Sequence, residues 1–315
     1  MAATAKAVSL APLATKVTRL KTFEGTRIVS AAGSPTGAVF AVGLENNTVK
    51  VVNAATMTTL FTLTGHPQPC YGLGFSPDGK YIATGDDTAR IYLWDLKTGK
   101  KVREYPRDKG HKRGIQSISF SKDGKLMATV GKDDVINVWN FSGGNPVKTI
   151  PGSGANFYGA AFSPAGSIVT GTLKEGLRIY AKTYGLASTL SIPGQGGMAA
   201  NDLVMNKLGT LAVTSGRDSK VTVWNLATKT RLGVLSGHQD WAMALAMAPN
   251  GRFVASSSND RTIRFWDVKS MTSVAKLDNM SVVGSPVAFT GNGKYFIAAN
   301  SSDYLEVYEV YPPAN

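Results

Sequence analysis

The chain has 315 residues, 43% of them hydrophobic and only 17% charged, with 34 glycines and a formal net charge of +13. That length allows one large domain or two ordinary ones, and that apolar content excludes a disordered polyelectrolyte. One cysteine, Cys70, and three histidines, His66, His111 and His238, rule out an intrachain disulfide and argue against a Cys/His zinc cluster.

The first segment, Met1 to Ala14, carries one lysine and an apolar patch interrupted by Ser9 and Pro12. It makes a poor signal peptide and reads as a flexible tail. No apolar run is long enough for a membrane span. The unpaired Cys70 fits a reducing compartment, cytoplasmic or nuclear, rather than secretion. Next comes a strand-like segment, Thr15 to Phe23, with no partner nearby in sequence.

From there one turn signature recurs along the chain. It reads Ser34-Pro35-Thr36-Gly37, Ser76-Pro77-Asp78-Gly79, Ser121-Lys122-Asp123-Gly124 and Ser163-Pro164-Ala165-Gly166. It continues as Asn206-Lys207-Leu208-Gly209, Ala248-Pro249-Asn250-Gly251 and Thr290-Gly291-Asn292-Gly293. The turn glycines are spaced by 42, 45, 42, 43, 42 and 42 residues. Proline at the second position presets φ, and glycine at the fourth takes a positive φ without a Cβ clash. Alternating apolar segments flank each turn, as in Tyr71 to Phe75 before and Tyr81 to Thr84 after. A third strand follows, for example Ile91 to Trp94, and then a more polar fourth, Lys101 to Tyr105. Four strands in about 42 residues is the period of a propeller blade. The seventh unit ends at Val310 and Tyr311 and lacks a fourth strand, which Thr15 to Phe23 can supply. The expected fold is all-β: one seven-bladed propeller over residues 15–311, closed by the N-terminal strand, with short tails at 1–14 and 312–315.

A second marker keeps the same register. Val52, Trp94, Trp139, Tyr180, Trp224, Trp266 and Tyr308 end the third strands, and Trp94-Asp95 and Trp266-Asp267 are complete WD dipeptides. With Gly65-His66, Gly110-His111 and Gly237-His238 upstream, the chain resembles the WD40-repeat family over nearly its whole length. Within that family the sixth unit is weakly similar, over about one blade, to the small propeller subunit of the superkiller RNA-decay complex, and no partner is carried over from it.

The resemblance implies a buried network joining the histidine to a Ser or Thr, an Asp and the Trp. By register the third unit supplies His111, Thr129, Asp133 and Trp139, and the sixth His238, Ser256, Asp260 and Trp266. The second supplies His66, Thr84 and Trp94 but has Thr88 at the aspartate position, and the fifth supplies Thr214, Asp218 and Trp224 without a histidine. The first, fourth and seventh units are expected to rely on apolar packing. Histidines tied up in this way are not free for nucleophilic or general-base catalysis. The glycines belong to turns rather than phosphate loops, and Cys70 sits in an apolar innermost strand. No enzyme activity, cofactor, metal site or small-molecule substrate is expected.

The resemblance further implies that partners dock on the face built from the loops after Gly-His and from the turns between second and third strands. Candidates there are Trp241, Arg27, Lys112, Arg113, Lys132, Asn156, Arg217, Asn259 and Arg261. Trp and Arg are frequent interface anchors. Charge is also concentrated between Lys97 and Arg113, a net +6 segment. The leading expectation is a protein-interaction scaffold in a larger assembly, with acidic partner proteins. The alternative is an RNA- or ribonucleoprotein-associated propeller using the basic sector of blades two and three. A metal-dependent propeller hydrolase is the remote third, disfavoured by apolar innermost strands such as Ala244 to Ala246.

Overall fold

The computed structural model describes residues 14–21, 26–152, 154, 157–191, 200–280, 286–300 and 304–310. The two tails expected from the sequence lie outside or at the edge of these described residues. Seven four-stranded antiparallel sheets account for the strands. Blade three shows the pattern, running from the innermost strand Ile115–Phe120 through Leu126–Gly131 and Val135–Asn140 to the outer strand Lys148–Pro151. Innermost strands of neighbouring blades meet around the ring, and that of blade seven, Val287–Phe289, touches both blade six and blade one.

The ring closes as its sequence pattern requires. The N-terminal strand Ala14–Lys21 is the outer strand of blade seven and pairs antiparallel with Tyr304–Val310, from Lys21 opposite Tyr304 to Ala14 opposite Val310. Blade seven is therefore built from both ends of the propeller.

The turns follow their chemistry. The seven turn glycines have φ between 67° and 88°. In blade two the Ser76 hydroxyl donates to Asp78 Oδ1 at 2.6 Å and accepts from the Tyr81 amide at 3.0 Å, and blade three repeats this with Ser121, Asp123 and Leu126. These side chains satisfy backbone groups that the ladder leaves unpaired at each turn.

The core is divided seven ways. Each apolar cluster lies between two adjacent blades; one joins Leu93 and Tyr105 of blade two to Ile115, Met127 and Trp139 of blade three. Second strands lie between neighbouring sheets, and Phe253–Ser258 is buried along its whole length. Outer strands are mostly exposed instead, so Lys100, Lys101 and Val102 face solvent while Tyr105 near the strand's end is buried. The described residues contain no helix long and apolar enough to cross a membrane.

Candidate partner site at the channel mouth

Three blades carry the buried network. In blade three Trp139 Nε1 donates to Thr129 Oγ1 at 2.8 Å, Thr129 meets His111 Nε2 at 2.8 Å, and His111 Nδ1 meets Asp133 at 2.9 Å. Blade six repeats it through Trp266, Ser256, His238 and Asp260 at 2.8, 2.7 and 3.0 Å. The indole can only donate, so the hydroxyl accepts from it and passes its own proton to Nε2. The imidazole then carries its proton on Nδ1, facing the carboxylate. Burial pushes the His238 pKa below its ordinary value, in keeping with a neutral ring. Burial also works to raise the Asp260 carboxyl, but the Gln239 amide, Thr262 and His238 outweigh it and hold it at about 2.

Blade two has the network too, with a different aspartate. Asp86, not a residue at the Thr88 position, binds His66 Nδ1 at 2.8 Å, while Thr84 joins Nε2 to the Trp94 indole. Thr88 supports it by donating to Asp86 Oδ1. The corresponding backbone position in blade three is Gly131, where an added Cβ would point between His111 and Asp133. Two positions thus lead to the same space, and blade two uses the earlier one. Blade five keeps the Trp224 to Thr214 bond at 3.0 Å, and Asp218 there accepts from the Lys220 amide.

Blade four corrects the expectation of apolar packing alone. Its Arg178 forms a two-pronged ion pair with Glu175, at 2.6 and 2.9 Å, and donates to the Gly152 carbonyl at 2.9 Å. That carbonyl belongs to the segment where other blades place Gly-His, so one arginine fastens the same loop from a different strand. Blade one does follow expectation: Val42 and Val52 are buried at the threonine and tryptophan positions of the network, with Phe40 beside Val52. Blade seven does not, because the Tyr308 hydroxyl at its tryptophan position donates to the buried Glu306 carboxylate.

The network also fastens the loops beside it. Asp133 accepts the Lys112 amide, and Asp260 the Gln239 amide. Two residues beyond Gln239 stands Trp241. Its amide donates to Asp240 Oδ1, its carbonyl accepts from the Asn259 amide at 3.0 Å, and Ser258 donates to the Asp240 carbonyl. A backbone fixed at this many points presents a side chain that is still 41% exposed.

Trp241 borders a cavity of about 620 Å³ at one mouth of the central channel. Arg217 of blade five stacks on the Trp241 ring, with its guanidinium carbon 4.7 Å from the centroid. Its Nη2 donates to the Tyr158 hydroxyl at 3.0 Å and its Nε to Asn201 Oδ1 at 3.3 Å. Across the mouth, Lys132 lies 4.9 Å above the Tyr71 ring and pairs with Asp87 of blade two. Asp202 also lines the cavity; its carboxylate accepts the Leu203 and Leu245 amides at 2.7 and 2.8 Å, so it ties blade five to blade six. Burial raises its pKa to about 6 despite those two bonds.

Of the nine candidates read from the sequence, Trp241, Arg217 and Lys132 line this cavity. Arg27, Lys112, Arg113, Asn259 and Arg261 do not; the first three and Arg261 are exposed elsewhere on the loops, and Asn259 serves through its amide. Asn156 lies outside the described residues. Tyr71, Gln116, Tyr158 and Val29 are additions. Each occupies a bulge in an innermost strand, where the register skips one residue, as between Cys70 and Gly72 or Phe157 and Gly159. A bulge re-aims its extra side chain, and here all four line the mouth. The Lys132–Asp87 pair could have been found from the repeat itself, because the two residues are one period apart and so face each other on adjacent blades.

The basic sector is partly consumed within the fold. Arg103 donates to the Phe141 carbonyl, Lys101 pairs with Glu104 at 3.3 Å, and Lys112 Nζ donates to the Asp108 carbonyl. Among the described residues no three His, Cys, Asp or Glu side chains gather as metal ligands, and Cys70 is buried with its thiol pKa pushed well up by burial.

Residues 57–95, 99–140 and 229–267 match the family described as WD domain, G-beta repeat. The chain carries WD40 repeats. The three matched stretches each end on the tryptophan dyad of a blade that has the histidine network, and the third includes the sixth-unit segment singled out in the sequence. Such propellers are generally non-catalytic platforms for other proteins. The chain is also similar to Protein LST8 homolog of Dictyostelium discoideum, 28% identical over 89 residues. That match covers 28% of this chain and spans only about a quarter, 26%, of the relative's length.

Proposed function

We propose that this WD40 propeller is a non-enzymatic subunit of a larger protein assembly, and that it docks partner proteins on the channel-mouth face carrying Trp241. One propeller over residues 15–311, flanked by the tails 1–14 and 312–315, is the functional unit. The observation that carries the reading is Trp241 itself: a large aromatic left 41% exposed on a backbone clamped by Asp240, Ser258 and Asn259. Prearranged aromatic and arginine side chains lose little freedom on binding, which is why they anchor interfaces. The net +13 charge favours acidic partners.

The RNA reading draws on the basic sector, and the internal engagement of Arg103, Lys101 and Lys112 weakens it. Affinity purification with mass spectrometry, comparing the natural protein with a Trp241→Ala, Arg217→Glu double variant, tests the proposal. Loss of the main co-purifying proteins is expected. An unchanged partner set would refute the choice of face.

A further inference from the structure

We infer that the channel mouth recognises one carboxylate on an extended acidic segment of a partner protein, and that Arg217 is the residue that reads it. The inference rests on the docking face proposed above and adds the chemistry of its occupant. It starts from an imbalance of charge. Two cations line the mouth, and they are not equivalent. Lys132 is neutralised by Asp87. Arg217 has no carboxylate within ion-pairing distance among the described residues; its partners are the neutral Tyr158 hydroxyl, the neutral Asn201 carbonyl and the Trp241 ring.

Those neutral contacts fix the guanidinium in place. Trp241 covers its face, while Tyr158 and Asn201 take one Nη2 hydrogen and the Nε hydrogen. The Nη1 edge is left with donors to spare. A planar fork held in this way suits a carboxylate, because the cost of ordering the long side chain has already been met. The surroundings select for a peptide over a polyanion. Asp202 shares the cavity wall with the two cations and Asp87 offsets Lys132 from outside it, so the mouth has charge complementarity for one anion rather than for a phosphate chain. Around that point the bulge residues Tyr71, Gln116, Tyr158 and Val29 offer aromatic, amide and aliphatic surface. About 620 Å³ holds a few residues of extended peptide and no folded element.

The test is selection of random octapeptides displayed on phage against the whole immobilised protein, in parallel with Arg217→Gln, Arg217→Lys and Trp241→Ala. All three changes are at exposed or half-buried loop sites, and unchanged melting verifies folding. Expected are clones with Asp or Glu at one fixed position. A synthetic peptide from such a clone should bind at least about tenfold weaker when that acid becomes its amide. The same loss should follow Arg217→Gln, with no further loss when both changes are combined. Arg217→Lys should retain part of the affinity. Clones that need Trp241 but no acid would overturn the carboxylate assignment and leave the docking face standing. Clones indifferent to Trp241→Ala and Arg217→Gln, or no clones at all, would overturn both. Binding of a fluorescent oligouridylate that needs Arg217 and competes with the peptide would replace the carboxylate by phosphate.

Discussion

Blades two, three and six and blades one, four and seven have the same four strands and the same turns, yet they are held together differently. The first group threads a Trp–hydroxyl–His–Asp chain through each sheet. The second replaces it with apolar side chains in blade one, an Arg178–Glu175 pair in blade four, and a buried Tyr308–Glu306 hydrogen bond in blade seven. Blade geometry therefore does not depend on the network. What the network adds is a carboxylate at the channel face, where it fastens the amides of Lys112 and Gln239. The three stretches that match the family all end in blades of the first group, so the recognisable signature includes loop anchoring, while the strand framework beneath it tolerates several solutions.

The comparison can be broken most severely at blade seven. Deleting residues 1–24 removes its outer strand and bares the edge of Tyr304–Val310. Melting should fall by more than 10 °C, roughly the effect of losing several kcal/mol in a chain of this size, and light scattering should report aggregation. A truncated protein with unchanged melting would show that blade seven closes without that strand.

Next in size is the network. His238→Ala strands the buried Ser256 hydroxyl and leaves Asp260 without its imidazole; about 2–4 kcal/mol should be lost in chemical denaturation. Asp260→Ala combined with it should cost much less than the sum. Additive losses would mean that the two residues do not act as one unit. Arg178→Met tests the substitute in blade four, and a loss of about 1–2 kcal/mol is expected, reduced because Glu175 is partly exposed.

The pH response should separate the two kinds of buried acid. Asp260 has a folded pKa near 2, below its unfolded value, so its contribution is present above about pH 4 and is lost as pH falls toward 2. Asp202, raised to about 6, behaves oppositely: stability from this site is full below about pH 4 and is lost as pH rises through 6. The stability of the natural protein minus that of Asp202→Asn should therefore increase between pH 7 and pH 4, by on the order of 1 kcal/mol. A flat difference would remove Asp202 from the account. Smallest of all, Lys101→Ala breaks an exposed pair with Glu104 and an ammonium contact 3.9 Å over the Tyr92 ring, and should change stability by less than about 1 kcal/mol.

Much of this was open to reading in the sequence. The turn glycines mark seven blades because a positive φ is needed at each turn, and the spacing from Thr129 to Trp139 recurs wherever the indole bond forms. Asp86 was hidden because spacing along a strand does not tell which of two nearby positions aims into a shared space. Arg178 was hidden for a related reason: it approaches the loop from the third strand, where the repeat pattern gave no polar duty. Tyr71 and Tyr158 stand in bulges, and a bulge breaks the two-residue alternation that sequence reading depends on. Arg217 and Trp241 were named from the loops, but their stacking is a contact between blades that neither blade's pattern contains.

The pairing of Ala14–Lys21 with Tyr304–Val310 also sets a timetable. A ribosome makes the second of these strands only after all the blades between them. At about 5–20 residues per second the wait is roughly 15–60 s, long enough for earlier blades to assemble one behind another. Through that interval the growing molecule is an open arc with an unpaired strand at its leading end. The ring becomes a ring only once Tyr304–Val310 has emerged, so the first strand waits for its partner until every other blade has been made.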